Sequence, residues 1–234
     1  MCGRYTLKTP VDELQAEFAL QIAPLELRAR WNLAPTQDAP VVVQGEERAL
    51  VLYRWGLIPS WAKDAGIGSR AINARAETLA ERPAFREVLK TRRALVVADG
   101  FYEWRREGKT KIPLYIHRQG GGLLAFAGLW DEWVTPTGAA VRSFCIITTS
   151  PNPLMARFHD RMPAILSKPD YETWLGATAT DTTRAGLLQP YAGEDLEATE
   201  VGDWVNAPAN DSPECLAPRR VEPARQGELF GQTP

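Results

Sequence analysis

The chain has no apolar run approaching the ~20 residues needed to cross a bilayer. Its opening, MCGRYTLKTPVDEL, also lacks the long apolar stretch of a secretory leader, so a cytoplasmic protein with no membrane partner is expected. Cysteine and histidine are scarce: Cys2, Cys145 and Cys215 are far apart, only two histidines accompany them, and there is no C-x-x-C. An odd, scattered set of thiols excludes a disulfide framework and gives no structural zinc pattern, so neither a metal nor a cofactor is expected. An excess of one charge is missing too. The formal net charge is −2, from 27 Lys and Arg against 29 Asp and Glu, which by itself makes no case for nucleic acid. The charge is unevenly placed, however. Residues 1–118 hold 19 basic and 14 acidic side chains and the remainder 8 and 15, a polarity compatible with one basic face.

What is present is an ordinary globular composition, 44% hydrophobic and 24% charged, in a chain of 234 residues that can bury a real core. TPVDELQAEFAL predicts a first helix, with Thr9 as cap, Pro10 in the first helical position and Val11, Leu14 and Phe18 on one face. After the proline-containing loop RWNLAPTQDAP, the runs VVV and ALVLYRW read as strands separated by the turn QGEER. ERPAFREVLK is a short amphipathic helix carrying Phe85, Val88 and Leu89. The long stretch from ALVVADG to FAGLW reads as consecutive β segments broken at DG, REGK and QGGG, and RSFCIITTS as another strand. SKPDYETWL is a helix starting near Ser167 or Lys168. There are no repeats and no dividing linker. The expected fold is a single α+β domain over residues 1–217 with a mainly antiparallel β core and a few flanking helices. A poorly ordered tail is expected over residues 218–234.

Cys145 lies in an apolar β run and reads as a buried inert thiol, and Cys215 as structural. Cys2 admits two readings. It is an incidental thiol on a frayed end, or, once Met1 is removed, a residue bearing an α-amine and a thiol on adjacent carbons. An unperturbed α-amine, with a pKa of ~7.7–8.0, leaves a useful minority neutral at pH 7, whereas a lysine at ~10.4 is almost wholly protonated. An aldehyde meeting this pair forms a Schiff base with the amine, and the thiol closes a five-membered thiazolidine. Neither group alone gives a stable product.

Other candidates follow from local pattern. In SRAINARAET, Asn73 and Arg75 share a side if the segment is extended. Glu103, between Tyr102 and Trp104, is either a solvated strand residue or a carboxylate crowded into proton exchange. His159, flanked by Asp160, Arg157 and Arg161, is either a structural histidine or a proton carrier. His117 beside a turn reads as structural. Trp55 and Trp61 are core residues or stacking platforms for a base, with core favoured.

Taken together, MCGRY, RWNLAPT, RWGLIPSWAK, INARAET, RRALVVADGFYEW, FAGLW, FCIITTSPN, FHDRMPAIL and VNAPANDSPEC resemble one family in its own order from residue 1 to about 215. That family is the SRAP (SOS response-associated peptidase) proteins, which process abasic sites in single-stranded DNA. The resemblance implies that Cys2, freed of Met1 by the protein itself or by an aminopeptidase, captures the aldehyde of an abasic deoxyribose as a thiazolidine. It implies that Asn73 positions the cysteine and that Glu103 and His159 manage protons as the sugar opens and closes. It implies an α+β fold whose mainly antiparallel β core is barrel-like, and it places Arg4, Arg75, Arg161, Trp61 and Pro35 against the DNA. The implied partner is single-stranded DNA with abasic sites, bound by a monomer that is nucleoid-associated when engaged, with autoproteolytic and possible lyase activity. Two other readings stay open at this point: a cysteine peptidase with an N-terminal nucleophile, using His159 as base and the Asn73 amide as oxyanion donor, and a non-enzymatic reader of damaged DNA.

Overall fold

A computed structural model describes residues 2–24 and 26–219. The chain runs through β1 (Tyr5–Leu7), α1 (Val11–Phe18), β2 (Arg30–Leu33), β3 (Asp38–Gln44), β4 (Arg48–Trp55) and β5 (Asn73–Arg75). Next come α2 (Arg86–Thr91), β6 (Arg93–Ala98), β7 (Gly100–Glu107), β8 (Thr110–Arg118), β9 (Leu124–Val134) and β10 (Ala140–Thr149). It ends with β11 (Met162–Pro163), β12 (Ile165–Leu166), α3 (Tyr171–Leu175), α4 (Asp181–Gly186) and β13 (Leu196–Glu200), with short 3-10 turns between. Pro218 and Arg219, which fall in the expected tail, still pair with Val201 and Glu200; the rest of that tail lies outside the described residues.

Strands β4, β3, β6, β9 and β10 pair in sequence, and β10 returns to β4, closing a five-stranded barrel. Every contact in the ring is antiparallel except β10 with β4, which is parallel at Ser143–Arg54 and Phe144–Trp55. Closure removes the exposed edges of these strands. It also explains why β6, RALVVA, is buried along its whole length: one side faces the barrel interior and α3 covers the other. A second, open sheet runs β13-β8-β7-β1-β2. The chain passes from barrel to open sheet at Asp99–Gly100 with no loop. A Cβ on Gly100 would stand 2.6 Å from the Ile116 carbonyl and from the Tyr115 ring, so the crossing requires glycine. One apolar core joins the two sheets, with Tyr5 of β1 packed 5.0 Å from Trp55 and 6.4 Å from Phe126 of the barrel.

The expected strands fall where the alternation placed them, but the first helix starts differently. It begins at Val11, and no side chain caps it. The Thr9 hydroxyl instead donates to the carboxylate of buried Asp99, which also accepts the Lys8 N–H, so the turn after β1 is tied to the β6–β7 crossing and a buried carboxylate is satisfied. Helix α3 is preceded by a 3-10 turn at Lys168–Asp170. Helix α4 and strand β13 have too little periodicity in their sequence to have been expected.

Buried Arg93 shows how short helices are held on the barrel. Its guanidinium donates to the carbonyls of Leu89 and Lys90 at the end of α2 and of Trp174, Leu175 and Gly176 at the end of α3. These are the carbonyls a helix end leaves unsatisfied. Burial, then neighbouring Arg184, lowers its pKa to about 10. Arg93→Met should strand several of these acceptors and cost about 3 kcal/mol, which lowers Tm by roughly 6–12 °C in a chain of this size. Thermal unfolding of the variant checks this.

Burial also pushes the Cys145 thiol up to about 12. A group whose pKa is raised by folding stabilises the fold fully below its unfolded value, and that contribution is lost as pH climbs through the folded value. From an ordinary value of 9.0 in the unfolded chain, Cys145 alone should remove about 2 kcal/mol by roughly pH 10.5. Urea unfolding of wild type and Cys145→Ala between about pH 8 and 11 should show a shallower alkaline decline in the variant.

Candidate functional site

The chain start is an interior strand of the open sheet. In β1, Tyr5 pairs with Phe101 of β7 on one side and with Leu33 of β2 on the other, and the Tyr102 N–H donates to the Arg4 carbonyl at 2.9 Å. Arg4 therefore lies opposite Tyr102, which brings Glu103, the next residue of β7, beside Gly3 and Cys2. Strand β5 is a short parallel addition to β10, with Asn73 opposite Ile146 and Arg75 opposite Thr148. Ala74 between them is buried, so Asn73 and Arg75 share the other face, as the spacing predicts. Across the seam between barrel and open sheet, Asn73 Nδ2 donates to the Cys2 carbonyl at 2.9 Å.

Cys2 is fully buried, with Sγ 3.9 Å from the Arg4 carbonyl. Burial, and after it the nearby Glu103 carboxylate, push the thiol well above its ordinary pKa. At neutral pH it is S–H rather than thiolate. The Tyr5 hydroxyl and Asn73 Oδ1 are also buried, with no hydrogen-bond partner among the described residues.

Glu103 is 4% exposed. It lines an open cleft of about 560 Å³ together with His159, Trp104 and Asn206. His159 follows a 3-10 turn, and its N–H donates to the Met155 carbonyl at 2.9 Å. Its Nδ1 lies 2.8 Å from Asp160 Oδ1 and 3.0 Å from the Arg161 N–H. These contacts suit different protonation states. Neutral Nδ1 accepts from the Arg161 backbone, which leaves the proton on Nε2; protonated Nδ1 donates to Asp160. The ring is thus supported in both states a proton carrier visits.

The candidate DNA residues are differently situated. Arg75 is exposed and makes no ion pair or side-chain hydrogen bond among the described residues. Arg4 is half-buried. Its Nη1 donates to Asn32 Oδ1 and the Val205 carbonyl at 2.9 Å each, and Nη2 to the Asn206 carbonyl at 3.4 Å. Arg161 forms a two-pronged pair with Glu77 at 2.7 and 2.8 Å and donates to the Thr148 carbonyl at 2.6 Å. That pairing holds the Glu77 carboxyl below its usual range. Trp61 is 59% exposed and lines a different cleft, of about 690 Å³, with Arg86, Lys90 and Arg92. Pro35 is half-buried in the β2–β3 turn, where Thr36 takes a φ of +73°. Trp55 is core, donating from Nε1 to the Ile72 carbonyl at 3.0 Å. His117 stacks 4.8 Å from Tyr115 at the β8–β13 seam. Cys145 and Cys215 are buried. Among the described residues no group of three or more His, Cys, Asp or Glu side chains could hold a metal ion, and no helix is long and apolar enough to cross a membrane.

Three contributors, Asn32, Asn206 and Asp211, are not visible in the sequence pattern. The Trp104 indole N–H donates to Asn206 Oδ1 at 2.8 Å, which makes the C-terminal segment one wall of the cleft. Asn32 and Asp211 fix that segment: the Asp211 carboxylate accepts the Trp31 and Asn32 N–H groups, and Asn32 Nδ2 reaches the Val205, Ala207 and Asn210 carbonyls. Only the polar cluster in VNAPANDSPEC hints at this role.

Comparison with known proteins agrees with this architecture. Abasic site processing protein YoqW of Bacillus subtilis is 46% identical over 221 residues, covering 92% of this chain and 99% of its own length. Abasic site processing protein HMCES of Gallus gallus is 32% identical, over 82% of this chain and 66% of its own. A solved structure of a protein from Bacteroides thetaiotaomicron superposes with a TM-score of 0.84 at 28% identity, covering 94% of this chain and all of that one. The family model for SOS response associated peptidase (SRAP) matches residues 1–208. The chain belongs to the SRAP family.

Proposed function

We propose that this protein processes abasic sites in single-stranded DNA, capturing the ring-opened sugar on Cys2 as a thiazolidine crosslink. The observation that carries the reading is the burial of Cys2 beside Glu103 with its carbonyl held by Asn73. A second residue is normally frayed and solvated, and a thiol so enclosed has no use as an exposed redox group. Relatives named abasic site processing proteins support the substrate class.

Removal of Met1 leaves an α-amine on Cys2. The neutral amine adds to the sugar aldehyde and water leaves, giving an imine; the thiol then adds across C=N, its proton passing to nitrogen as the C–S bond closes the ring. Because the thiol is held as S–H, the amine attacks first. Asn73 acts by position. Its amide is committed to the Cys2 carbonyl, one peptide beyond the Met1–Cys2 bond, so it orients the aminothiol and is poorly placed as an oxyanion donor for peptide cleavage.

An abasic sugar is mostly a closed hemiacetal, and opening it requires a base at the anomeric hydroxyl and an acid at the ring oxygen. Glu103 and His159 line one cleft and supply that pair. Exposed Arg75 takes a backbone phosphate, while Arg4 and Arg161 hold the walls and offer their remaining donors to the strand. Trp61 and Pro35 extend the contact. A missing base leaves no base edge to read, which suits recognition through the backbone.

Single-stranded DNA containing one abasic site, followed over time by denaturing gel and intact mass, tests the roles separately. Cys2→Ala and Cys2→Ser should form no heat-stable adduct. Glu103→Gln and His159→Ala should yield the wild-type mass on the order of 10²–10⁴ times more slowly. A stable adduct in either Cys2 variant, or wild-type rates in the Glu103 and His159 variants, would contradict the mechanism.

A further inference from the structure

The β7–β8 hairpin carries a charge arrangement that its own stability does not favour. Arg106 and Lys111 stand directly opposite one another in the register, and both are exposed. Like charges at such a pair repel and weaken the hairpin. The same hairpin neutralises a neighbouring cation fully: Arg105 pairs with Glu107 at 2.7 Å and with Glu200 of β13 at 2.5 Å. Among the described residues, neither Arg106 nor Lys111 has an ion pair or a side-chain hydrogen bond. A third cation arrives from a separate element. Arg157, in the turn before His159, is exposed, and its guanidinium lies 5.3 Å from the Phe158 ring with no carboxylate partner among the described residues. All three line the cleft that contains Glu103 and His159.

We propose that Arg106, Lys111 and Arg157 form a phosphate track for the single-stranded DNA flanking the abasic residue on one side. The strand leaves the cleft across the β7–β8 hairpin. The identity of the ligand rests on the abasic-site reading above. The physical case is that a polyanion removes the repulsion between Arg106 and Lys111 and supplies the counter-charge that the fold supplies to Arg105 but withholds from them. Phosphate contacts of this kind position a strand without reading its sequence. They also give the hairpin a direction: a track on one flank is used by nucleotides 5′ or 3′ of the lesion, and not by both.

Binding is measured with two short oligodeoxythymidylates carrying a reduced, aldehyde-free abasic analogue at the 5′ end or at the 3′ end, between about 50 and 200 mM salt. Since the analogue cannot form an imine, the result is independent of covalent capture by Cys2; loss of capture in wild type would count against the proposed function and leave this slope readable. For one of the two oligonucleotides, R106Q/K111Q should lower the slope of log K against log salt by about 1.4, at ~0.7 per phosphate on a single strand. For the other it should leave the slope unchanged. Arg157→Gln, on a different element, should lower it by about 0.7 on the same oligonucleotide. Tm of R106Q/K111Q should equal or exceed that of wild type, since a repulsion has been removed. Unchanged slopes on both oligonucleotides, or an equal fall on both, would overturn the track.

Discussion

One hydrogen bond, from Asn73 Nδ2 to the Cys2 carbonyl, ties the start of the chain to the barrel. Its importance comes from where the atoms of Cys2 lie. A residue at a chain end loses much backbone freedom when it is ordered, on the order of 1–2 kcal/mol, and few contacts are usually available to offset that. Here β1 sits between β7 and β2, Tyr5 packs its ring against Trp55 in the core, and the bond from Asn73 fixes the Cys2–Gly3 peptide. In the proposed mechanism the aminothiol of Cys2 is thereby presented at a defined place beside Glu103. Catalysis by positioned groups is sensitive to displacements of about 1 Å, so under the proposed mechanism a frayed Cys2 would carry the same chemistry with little of the rate.

The other wall of the cleft depends on the far end of the described chain. Burial opposes ionisation of Asp211, but the Trp31 N–H and the Arg30 guanidinium outweigh it and hold the carboxyl below its ordinary value. That carboxylate and the Asn32 amide strap the segment around Val205–Asp211 across β2, and Arg4 completes the strap. Asn206 then meets the Trp104 indole. Residues 4, 32, 104, 206 and 211 are far apart in sequence, yet they form one polar network. Arg4, Asn32, Trp104 and Asp211 each donate to or accept from a neighbour in it, and such polar networks favour one geometry.

The barrel strands are legible because VVV, ALVLYRW, ALVVA and SFCIITT carry continuous or alternating apolar residues bounded by turn signals, a pattern set by side chains pointing to opposite faces. Closure of the barrel is not, because the parallel contacts of β10 with β4 and β5 join segments with no shared local signal. Thr9 departs from its expected capping role for a related reason: its hydroxyl satisfies an aspartate 90 residues away instead of the helix end beside it. The pairing of Asn73 with Arg75 on one face follows from spacing alone. The functional candidates Cys2, Glu103 and His159 are legible as residue types in unusual settings, but what brings them together is the register of β1 on β7 and the turn before His159, which spacing does not encode. Asn206 is invisible in the sequence because its role arises only once the C-terminal segment has folded back.

The central claim is that the group bonded to DNA is the aminothiol of a mature Cys2. It is tested most directly by digesting the purified crosslink with trypsin and nuclease and sequencing the modified peptide by mass spectrometry. The account predicts that the sugar remnant sits on the peptide Cys2-Gly3-Arg4, with Met1 absent and a mass one water below the sum of peptide and ring-opened sugar. A remnant on a lysine, on Cys145 or Cys215, or on a peptide that retains Met1 would contradict it.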